Sequence, residues 1–253
     1  LIMIKILLHG CCGAMGKVIT SLAAEDNEIE ITAGIDKMGA GQYTYPVFSS
    51  LKEWKGEADV IVDFSAAAAV DELLDFCEET KMPVVLCTTG LSDSQIRRAE
   101  EVSKSAAIVR SANMSLGVNL LLKLVAEAAK VLAGAGFDME IVEKHHNQKK
   151  DAPSGTAIAL ADALNQAMDQ AYHKVFDRSG SHEKRDPKEI GISSVRGGTI
   201  VGEHDVIFAG TDEVITFQHT AYSKAIFAKG ALAAAKFLAE KPAGLYTMSD
   251  VIG

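Results

Sequence analysis

The stretch that decides the fold runs from Met3 to Gly16: an apolar run, Met3–His9, followed by Gly10-Cys11-Cys12-Gly13-Ala14-Met15-Gly16. The run has the length and composition of a buried β-strand. The glycines follow G-x-x-G-x-x-G, a variant of the pattern that joins the first strand of a dinucleotide-binding unit to its first helix. They allow a tight turn, a close approach of the backbone to a pyrophosphate, and close packing of helix on strand. We therefore predict that residues Gly10 to Gly16 bind a dinucleotide; the alternative is an ordinary strand–turn–helix joint.

An acidic residue follows the second apolar run. Asp36 comes just after Ile29–Gly34 and 20 residues after Gly16, and an acid there can hydrogen-bond ribose hydroxyls. A carboxylate repels a 2′-phosphate, whereas a neighbouring lysine, Lys37, attracts one. The pair favours NADH, or NADH and NADPH together, over strict use of NADPH. In the alternative interpretation, Lys37 is a solvated surface cation without a role in binding.

Strand and helix patterns alternate through the rest of the first half. Strands are predicted at Val60–Asp63, Pro83–Cys87 and Ala107–Arg110, and a capping-box pattern, Ser92 with Gln95, begins one of the helices. This alternation predicts an α/β unit with a parallel sheet and helices on both faces. Ligands of such sheets bind at the carboxyl ends of the strands.

The second half has a different order. A helix (Leu116–Leu132), a strand (Asp138–Lys144) and a second helix (Thr156–Met168) are followed by a charged loop (Asp177–Glu189). Three strands with only short breaks between them come next: Ile190–Val195, Thr199–Phe208 and Val214–Thr220. A last helix is predicted at Ser223–Ala239. Consecutive strands without intervening helices predict a mixed or antiparallel sheet. The chain therefore divides into a nucleotide-binding unit and a smaller α+β unit.

Composition narrows the partners and the compartment. Lysine and arginine number 25 against 34 acidic residues, a formal charge of −9, which argues against nucleic acid and anionic membranes as partners. Four cysteines without a C-x-x-C pattern predict reduced thiols in a cytoplasmic protein and no zinc site. The first apolar run is interrupted by Lys5, which is not expected of a signal peptide.

The densest polar stretch is Glu143-Lys144-His145-His146-Asn147-Gln148-Lys149-Lys150-Asp151-Ala152-Pro153-Ser154-Gly155-Thr156, which joins a strand to a helix. Its lysines, its imidazoles and its helix start predict a site for a carboxylate ligand with a proton donor. In the plainer interpretation, Lys144 and Lys150 are solvated and Asp151 or Ser154 caps the helix. Adjacent histidines on a strand point to opposite faces, so we predict no metal site here.

Taken together, these motifs resemble the dihydrodipicolinate (4-hydroxy-tetrahydrodipicolinate) reductase family of bacterial lysine and diaminopimelate synthesis. The resemblance covers nearly the whole chain, and its most specific part is His145-His146-x-x-Lys149-x-Asp151-Ala152-Pro153-Ser154-Gly155-Thr156. Further matches are Asp63-Phe64-Ser65, Thr88-Thr89-Gly90, Ala112-Asn113-Met114-Ser115, Arg196-Gly197-Gly198 and Gly202-Glu203-His204. His204 and His219 stand alone in strand-like runs, where we expect structural roles.

The resemblance implies a Rossmann-like cofactor domain, residues 1–114 and 225–253, and a substrate-binding and oligomerisation domain, residues 115–224, in a homotetramer. It implies that His145 donates a proton, that Lys149 is the second catalytic residue, and that the carboxylates of a small dianionic heterocycle bind His146, Ser154, Gly155 and Thr156. The nicotinamide side of the cofactor would be lined by Cys87, Thr88, Thr89, Ala112, Asn113, Met114 and Ser115.

Three positions depart from the family pattern. Ala14 and Lys224 stand where arginine is common, and Cys87 stands where glycine is usual. Loss of an arginine at position 14 weakens the case for strict NADPH use, and lysine at position 224 lacks the bidentate grip of arginine on a carboxylate. Two other functions remain open: a different dinucleotide-dependent dehydrogenase, or an NAD(H)-sensing module without a proton donor.

Overall fold

The chain divides into two compact units in a computed structural model that describes residues 3–39 and 43–253. The first unit comprises Leu1–Leu116 and Ala225–Gly253, and the second unit comprises Gly117–Lys224. The sequence-based prediction placed the first of these breaks after residue 114.

The first unit is a parallel α/β structure, as predicted. Its elements in chain order are β1 (Ile4–His9), α1 (Ala14–Ala23), β2 (Ile29–Ile35), β3 (Val47–Phe48), β4 (Val60–Asp63), α2 (Val70–Thr80), β5 (Val84–Leu86), α3 (Asp93–Val102) and β6 (Ala107–Arg110). Strands β1, β4 and β5 are buried almost throughout, which explains why they read as continuous apolar runs. The capping box predicted at Ser92 and Gln95 is present at the start of α3.

The second unit is an α+β structure around a five-stranded mixed sheet, also as predicted. Its elements are α4 (Leu116–Leu132), β7 (Asp138–His145), α5 (Gly155–Ala167), β8 (His173–Val175), β9 (Glu189–Arg196), β10 (Gly202–Ala209) and β11 (Val214–Ala221). The strand order is β11-β10-β7-β9-β8, with β7 parallel to β9 and antiparallel to β10. Helices α4 and α5 contribute to the apolar core on the sheet.

The chain then returns to the first unit through α6 (Ala225–Leu238), β12 (Gly244–Tyr246) and α7 (Met248–Ile252). Strand β12 completes a seven-stranded sheet of order β12-β6-β5-β4-β1-β2-β3, whose pairs run parallel. Sequence analysis missed β3, β8, β12 and α7, because elements of two to five residues are too short to show a periodic pattern. A 3₁₀ turn, Ala67–Ala69, precedes α2.

No helix within residues 3–39 and 43–253 combines the length and apolarity that a membrane crossing requires.

The packing of α6 leads to a prediction about stability. Gly230 lies so close to the loop before α4 that a Cβ atom there would be 1.6 Å from the backbone oxygen of Met114. We expect Gly230→Ala to lower the free energy of unfolding by about 2–3 kcal/mol, because backbone must shift to admit the methyl group. Urea titrations followed by circular dichroism would measure this change. Gly134→Ala is the control, since a Cβ at Gly134 would meet no atom within 4 Å; equal losses in both variants would contradict the packing argument.

Candidate functional site

The glycine loop between β1 and α1 leaves no room for side chains at two of its three glycines. Gly10 has φ of +80°, and a Cβ there would lie 2.6 Å from the backbone oxygen of Phe64. A Cβ on Gly16 would lie 2.4 Å from the backbone oxygens of both Gly10 and Cys11. Gly13 is the N-cap of α1, so the first backbone N–H groups of that helix lack partners within it. The loop therefore has the geometry of a phosphate cradle.

Asp36 is tied to this loop and lines a cavity with it. Its carboxylate accepts hydrogen bonds from the backbone N–H groups of Cys12 and Met38, both at 2.9 Å. The cavity, of about 440 Å³, is also lined by Gly10, Gly13 and Lys37. A carboxylate has about four acceptor positions, so Asp36 can accept further bonds from a ligand. The fold thus brings together the loop and the acid that sequence analysis assigned to one ligand, and this set fits a dinucleotide.

The remaining predicted cofactor residues are divided between a second cavity and the core. A cavity of about 200 Å³ is lined by Thr88, Thr89, Gly90, Leu91, Ile96, Arg110, Ser111 and Ala112. Cys87, Met114 and Ser115 are buried, and burial raises the pKa of the Cys87 thiol well above its usual value. Asn113 accepts a hydrogen bond from the backbone N–H of Ser115 and so shapes the loop.

The second unit is organised around the carboxylate of Glu143, which is 0% exposed. Arg196 donates to both carboxylate oxygens at 2.7 Å. Nδ1 of His145 lies 2.6 Å from Oε2, and the backbone N–H of Ser154 donates to Oε1 at 3.0 Å. One buried anion therefore joins β7, β9 and the start of α5.

The charge on Glu143 is well stabilised despite its burial. Burial by itself raises the pKa of this carboxyl, but hydrogen bonds from Arg196, His145, Ser194 and Ser154 outweigh it and lower the pKa to about 2. Glu143 is thus ionised at neutral pH, and the same pairing raises the pKa of Arg196.

His145 is held by this anion at the end of β7. The buried face of β7 comprises Met139, Ile141, Glu143 and His145, so its apolar side ends in an acid–imidazole pair. Because Nδ1 faces Glu143, Nε2 is the ring nitrogen left to exchange a proton with a ligand. Strand β10 passes close to this nitrogen, since a Cβ on Gly202 would lie 3.1 Å from Nε2.

His204, for which the sequence predicted a structural role, lies beside His145 in the buried part of the site. Its ring centroid lies 5.1 Å from that of His145, and its Nε2 is 2.9 Å from the hydroxyl of Ser154. Burial and the nearby His145 lower the pKa of His204 to about 4, although Glu143 opposes this change. His204 is therefore a neutral imidazole that connects the proton-donor candidate to the start of α5.

Ser154 has two internal roles. Its side chain is buried and accepts a hydrogen bond from the backbone N–H of Ala157, which makes it the N-cap of α5, as the plainer interpretation expected. Gly155 is exposed in the first turn of α5 and Thr156 is half-buried beside it. His146 is also half-buried, one residue beyond the end of β7.

The lysines of this segment are less free than the sequence suggested. Lys144 is not simply solvated: it pairs with Glu203 at 3.0 Å and with Asp205 at 3.1 Å. Lys149 pairs with Asp151 at 2.9 Å, which lowers the pKa of the Asp151 carboxyl. Acids beyond the Lys144–Lys150 stretch, on β10 and in the turn, offset its positive charge.

Sequence analysis gave no role to Glu143 or Arg196, which form the centre of this site. The i, i+2 spacing of Glu143 and His145 on a predicted strand indicates one shared face, and this was the available signal. The pairing of Glu143 with Arg196, which is 53 residues away, depends on the parallel register of β7 and β9, and no local pattern predicts that register.

A parallel α/β unit with a glycine loop and a cavity that fit a dinucleotide, in one chain with a buried acid–imidazole pair, is the combination expected of a dinucleotide-dependent oxidoreductase. Residues 4–114 match the family model described as "Dihydrodipicolinate reductase, N-terminus", and residues 117–252 match "Dihydrodipicolinate reductase, C-terminus". The chain belongs to the dihydrodipicolinate reductase family.

Individual relatives agree with this assignment. The 4-hydroxy-tetrahydrodipicolinate reductase of Caldanaerobacter subterraneus subsp. tengcongensis is 56% identical over 250 residues, which are 99% of this chain and 98% of that protein. A dipicolinate-bound dihydrodipicolinate reductase from Paenisporosarcina sp. TG-14 has the same fold, with a TM-score of 0.83, 24% identity and coverage of 97% of this chain and 98% of that chain. GenD2 of gentamicin A biosynthesis, solved with NAD, shares the fold more loosely, with a TM-score of 0.63, 11% identity and coverage of 100% and 91%.

The neutral His204 predicts an acid-sensitive second unit. Folding lowers the pKa of His204 from 6.5 to about 4, so the unfolded chain takes up a proton at a higher pH than the folded chain does. The contribution of the neutral His204 to the free energy of unfolding is therefore fully present above about pH 6.5 and is lost as the pH falls towards 4. Between pH 7 and pH 4.5, the free energy of unfolding should fall in both the unsubstituted protein and His204→Gln. We expect the decrease in His204→Gln to be smaller by about 2 kcal/mol, because this variant lacks the histidine that takes up a proton on unfolding. Urea titrations at the two pH values would measure this difference. The exposed His182→Gln serves as the control and should follow the unsubstituted protein; identical acid sensitivity in all three proteins would contradict the assignment.

Proposed function

We propose that the chain reduces dihydrodipicolinate, the cyclic imine formed from 4-hydroxy-tetrahydrodipicolinate, to tetrahydrodipicolinate with NADH or NADPH, in lysine and diaminopimelate synthesis. Family membership over the whole chain supports the reaction. The observation that carries the mechanism is the 2.6 Å contact between His145 Nδ1 and the buried carboxylate of Glu143, because it prepares one imidazole nitrogen for proton transfer.

The first unit would hold the cofactor. When bound, a reduced nicotinamide supplies the hydride that the imine needs. The loop from Gly10 to Gly16 would bind the pyrophosphate through backbone N–H groups, with Cys11, Cys12, Ala14 and Met15 contributing main chain. Asp36 and Lys37 would bind the adenosine ribose. Thr88, Thr89 and Ala112 would line the nicotinamide side, while the buried Cys87, Met114 and Ser115 would support that side from the core.

The second unit would supply the proton. Glu143 holds the Nδ1 proton of His145, so the proton delivered to the substrate carbon comes from Nε2. Arg196 keeps Glu143 ionised, and the ionised carboxylate offsets the charge of an imidazolium. This is the role that the acid of an acid–histidine pair has in other enzymes: it orients the ring and stabilises its charged form.

The substrate carboxylates would bind at the start of α5. Lys149 and His146 would supply positive charge or hydrogen-bond donors, and the backbone N–H groups of Gly155 and Thr156 would donate hydrogen bonds to an anion at the helix N-terminus. Ser154 would act indirectly, because its hydroxyl already serves the helix cap and His204. The exposed Lys224 would have no more than a weak, monodentate role.

The second unit would also build a cytoplasmic homotetramer. Strand β11 supports this assembly, because it is a sheet edge of eight residues on which Val214 is 62% and Ile215 is 37% exposed. A long apolar edge strand invites pairing with another chain.

His145→Gln tests the proton donor. We expect turnover, measured as oxidation of NADH by freshly made dihydrodipicolinate, to fall by about 100-fold or more, because a positioned acid–base group contributes at least this factor. The Kd for NADH should stay near that of the unsubstituted protein.

The exposed His182→Gln is the matched control, and its turnover should be unaffected. Turnover of His145→Gln within twofold of the control would exclude His145 as the donor. No oxidation of either cofactor by the unsubstituted protein would instead favour an NAD(H) sensor, and oxidation of the cofactor by another imine or by a carbonyl compound alone would favour a different dehydrogenase.

Asp36→Ala tests the ribose assignment. NADH would lose a charge-assisted hydrogen bond to its 2′-hydroxyl, so we expect its Kd to rise about tenfold or more. The Kd for NADPH should change less, because its 2′-phosphate is repelled by Asp36 and attracted by Lys37. Fluorescence titrations with both cofactors would measure the two constants, with Asp93→Ala at the exposed start of α3 as the control. Equal losses for the two cofactors would refute the assignment.

A further inference from the structure

Two adjacent thiols and a carboxylate converge in the glycine loop. The Sγ atoms of Cys11 and Cys12 are 3.9 Å apart, and an oxygen of Asp36 completes a group whose ligand atoms all lie within 4.8 Å of one another. No other group of three metal-ligating side chains this compact occurs among the residues that the structure describes. Cys11 is buried against β2, while Cys12 is half-buried.

The spacing of these atoms matches a metal site. Two thiolates that bind one tetrahedral Zn²⁺ at about 2.3 Å each are about 3.8 Å apart. The observed 3.9 Å therefore requires almost no movement of the two sulfurs relative to each other. A carboxylate oxygen is an accepted third ligand for zinc, and water completes many sites that have three protein ligands.

We propose that Cys11, Cys12 and Asp36 form a binding site for Zn²⁺ and similar thiophilic divalent metals. Each thiol releases its proton to solvent as it binds, so one Zn²⁺ replaces two protons and no electrons are transferred. Because thiolates are soft ligands, the site discriminates against Mg²⁺ and Ca²⁺, which favour all-oxygen coordination. The remaining cysteines, Cys77 and Cys87, lie outside the group.

The metal site overlaps the proposed cofactor site, and this part of the inference rests on the proposed function. Asp36 cannot give the same lone pairs to a metal and to ribose hydroxyls. A metal bound by the two cysteines would also alter the hydrogen bond that the backbone N–H of Cys12 donates to Asp36 at 2.9 Å. Metal and dinucleotide would therefore exclude each other, and by linkage each would weaken the binding of the other equally.

Cobalt(II) is the probe, because it replaces Zn²⁺ at tetrahedral sites and reports bound thiolate as a charge-transfer absorption. We expect the unsubstituted protein to bind one Co²⁺ with this absorption and to release it to Zn²⁺. Cys12→Ser should abolish most of the absorption and weaken binding by more than about 100-fold, beyond the loss caused by removing an outer-shell partner. Asp36→Asn should keep the thiolate absorption but bind about tenfold more weakly.

Cys77→Ala is the matched control, since this thiol is buried in α2 outside the group, and it should bind Co²⁺ as the unsubstituted protein does. Absence of thiolate absorption in the unsubstituted protein would overturn the proposal, as would equal absorption in Cys12→Ser. If Cys12→Ser does not fold by circular dichroism, Asp36→Asn decides: unchanged affinity there removes the carboxylate from the site.

A second titration separates this proposal from the proposed function. Saturating NADH should raise the apparent Kd for Co²⁺ at least tenfold. The visible absorption bands of bound cobalt would measure this Kd. If Co²⁺ binds equally well with NADH present, the sites do not overlap and the competition is wrong. If NADH does not bind at all, the proposed function and the competition both fail, while the metal site itself stands or falls on the cobalt spectrum of the free protein.

Discussion

The carboxylate of Glu143 carries a negative charge at a position that solvent does not reach, and the surrounding structure compensates that charge. Arg196 from β9, His145 from β7 and the backbone of Ser154 all turn towards it. Removing one partner of such a buried pair leaves an uncompensated charge, which typically costs about 3–5 kcal/mol. The arrangement of the second unit around its proposed proton donor therefore depends on this one anion.

The first unit depends on a different constraint, which is steric. At Gly10 and Gly16 the neighbouring backbone atoms lie at distances that a Cβ would not allow. In the resulting loop, Asp36 accepts a hydrogen bond from the backbone N–H of Cys12. The loop, the acid and the cavity are thus parts of one arrangement. The same closeness places the thiols of Cys11 and Cys12 beside the carboxylate of Asp36.

The structure also changes the charge balance that the sequence suggested for the Lys144–Lys150 stretch. The sequence showed three lysines and two histidines within Lys144–Lys150, which indicated a locally basic site. In the folded chain, Lys144 turns to Glu203 and Asp205, and Lys149 pairs with Asp151. The positive charge of this stretch is therefore partly offset by acids of the same unit.

Local sequence patterns determined the two units, the parallel and mixed sheets, the glycine loop and the position of His145, because periodicity and glycine spacing act over short stretches of chain. They could not determine which acid faces His145 or which cation neutralises that acid. Glu143 and Arg196 lie 53 residues apart, and only the register of β7 with β9 brings them together. Likewise His204 is isolated in the sequence, but β10 places it opposite Glu143 in the register of the sheet. Strand pairing is a long-range contact, so the tertiary structure alone decided the chemistry around the imidazole.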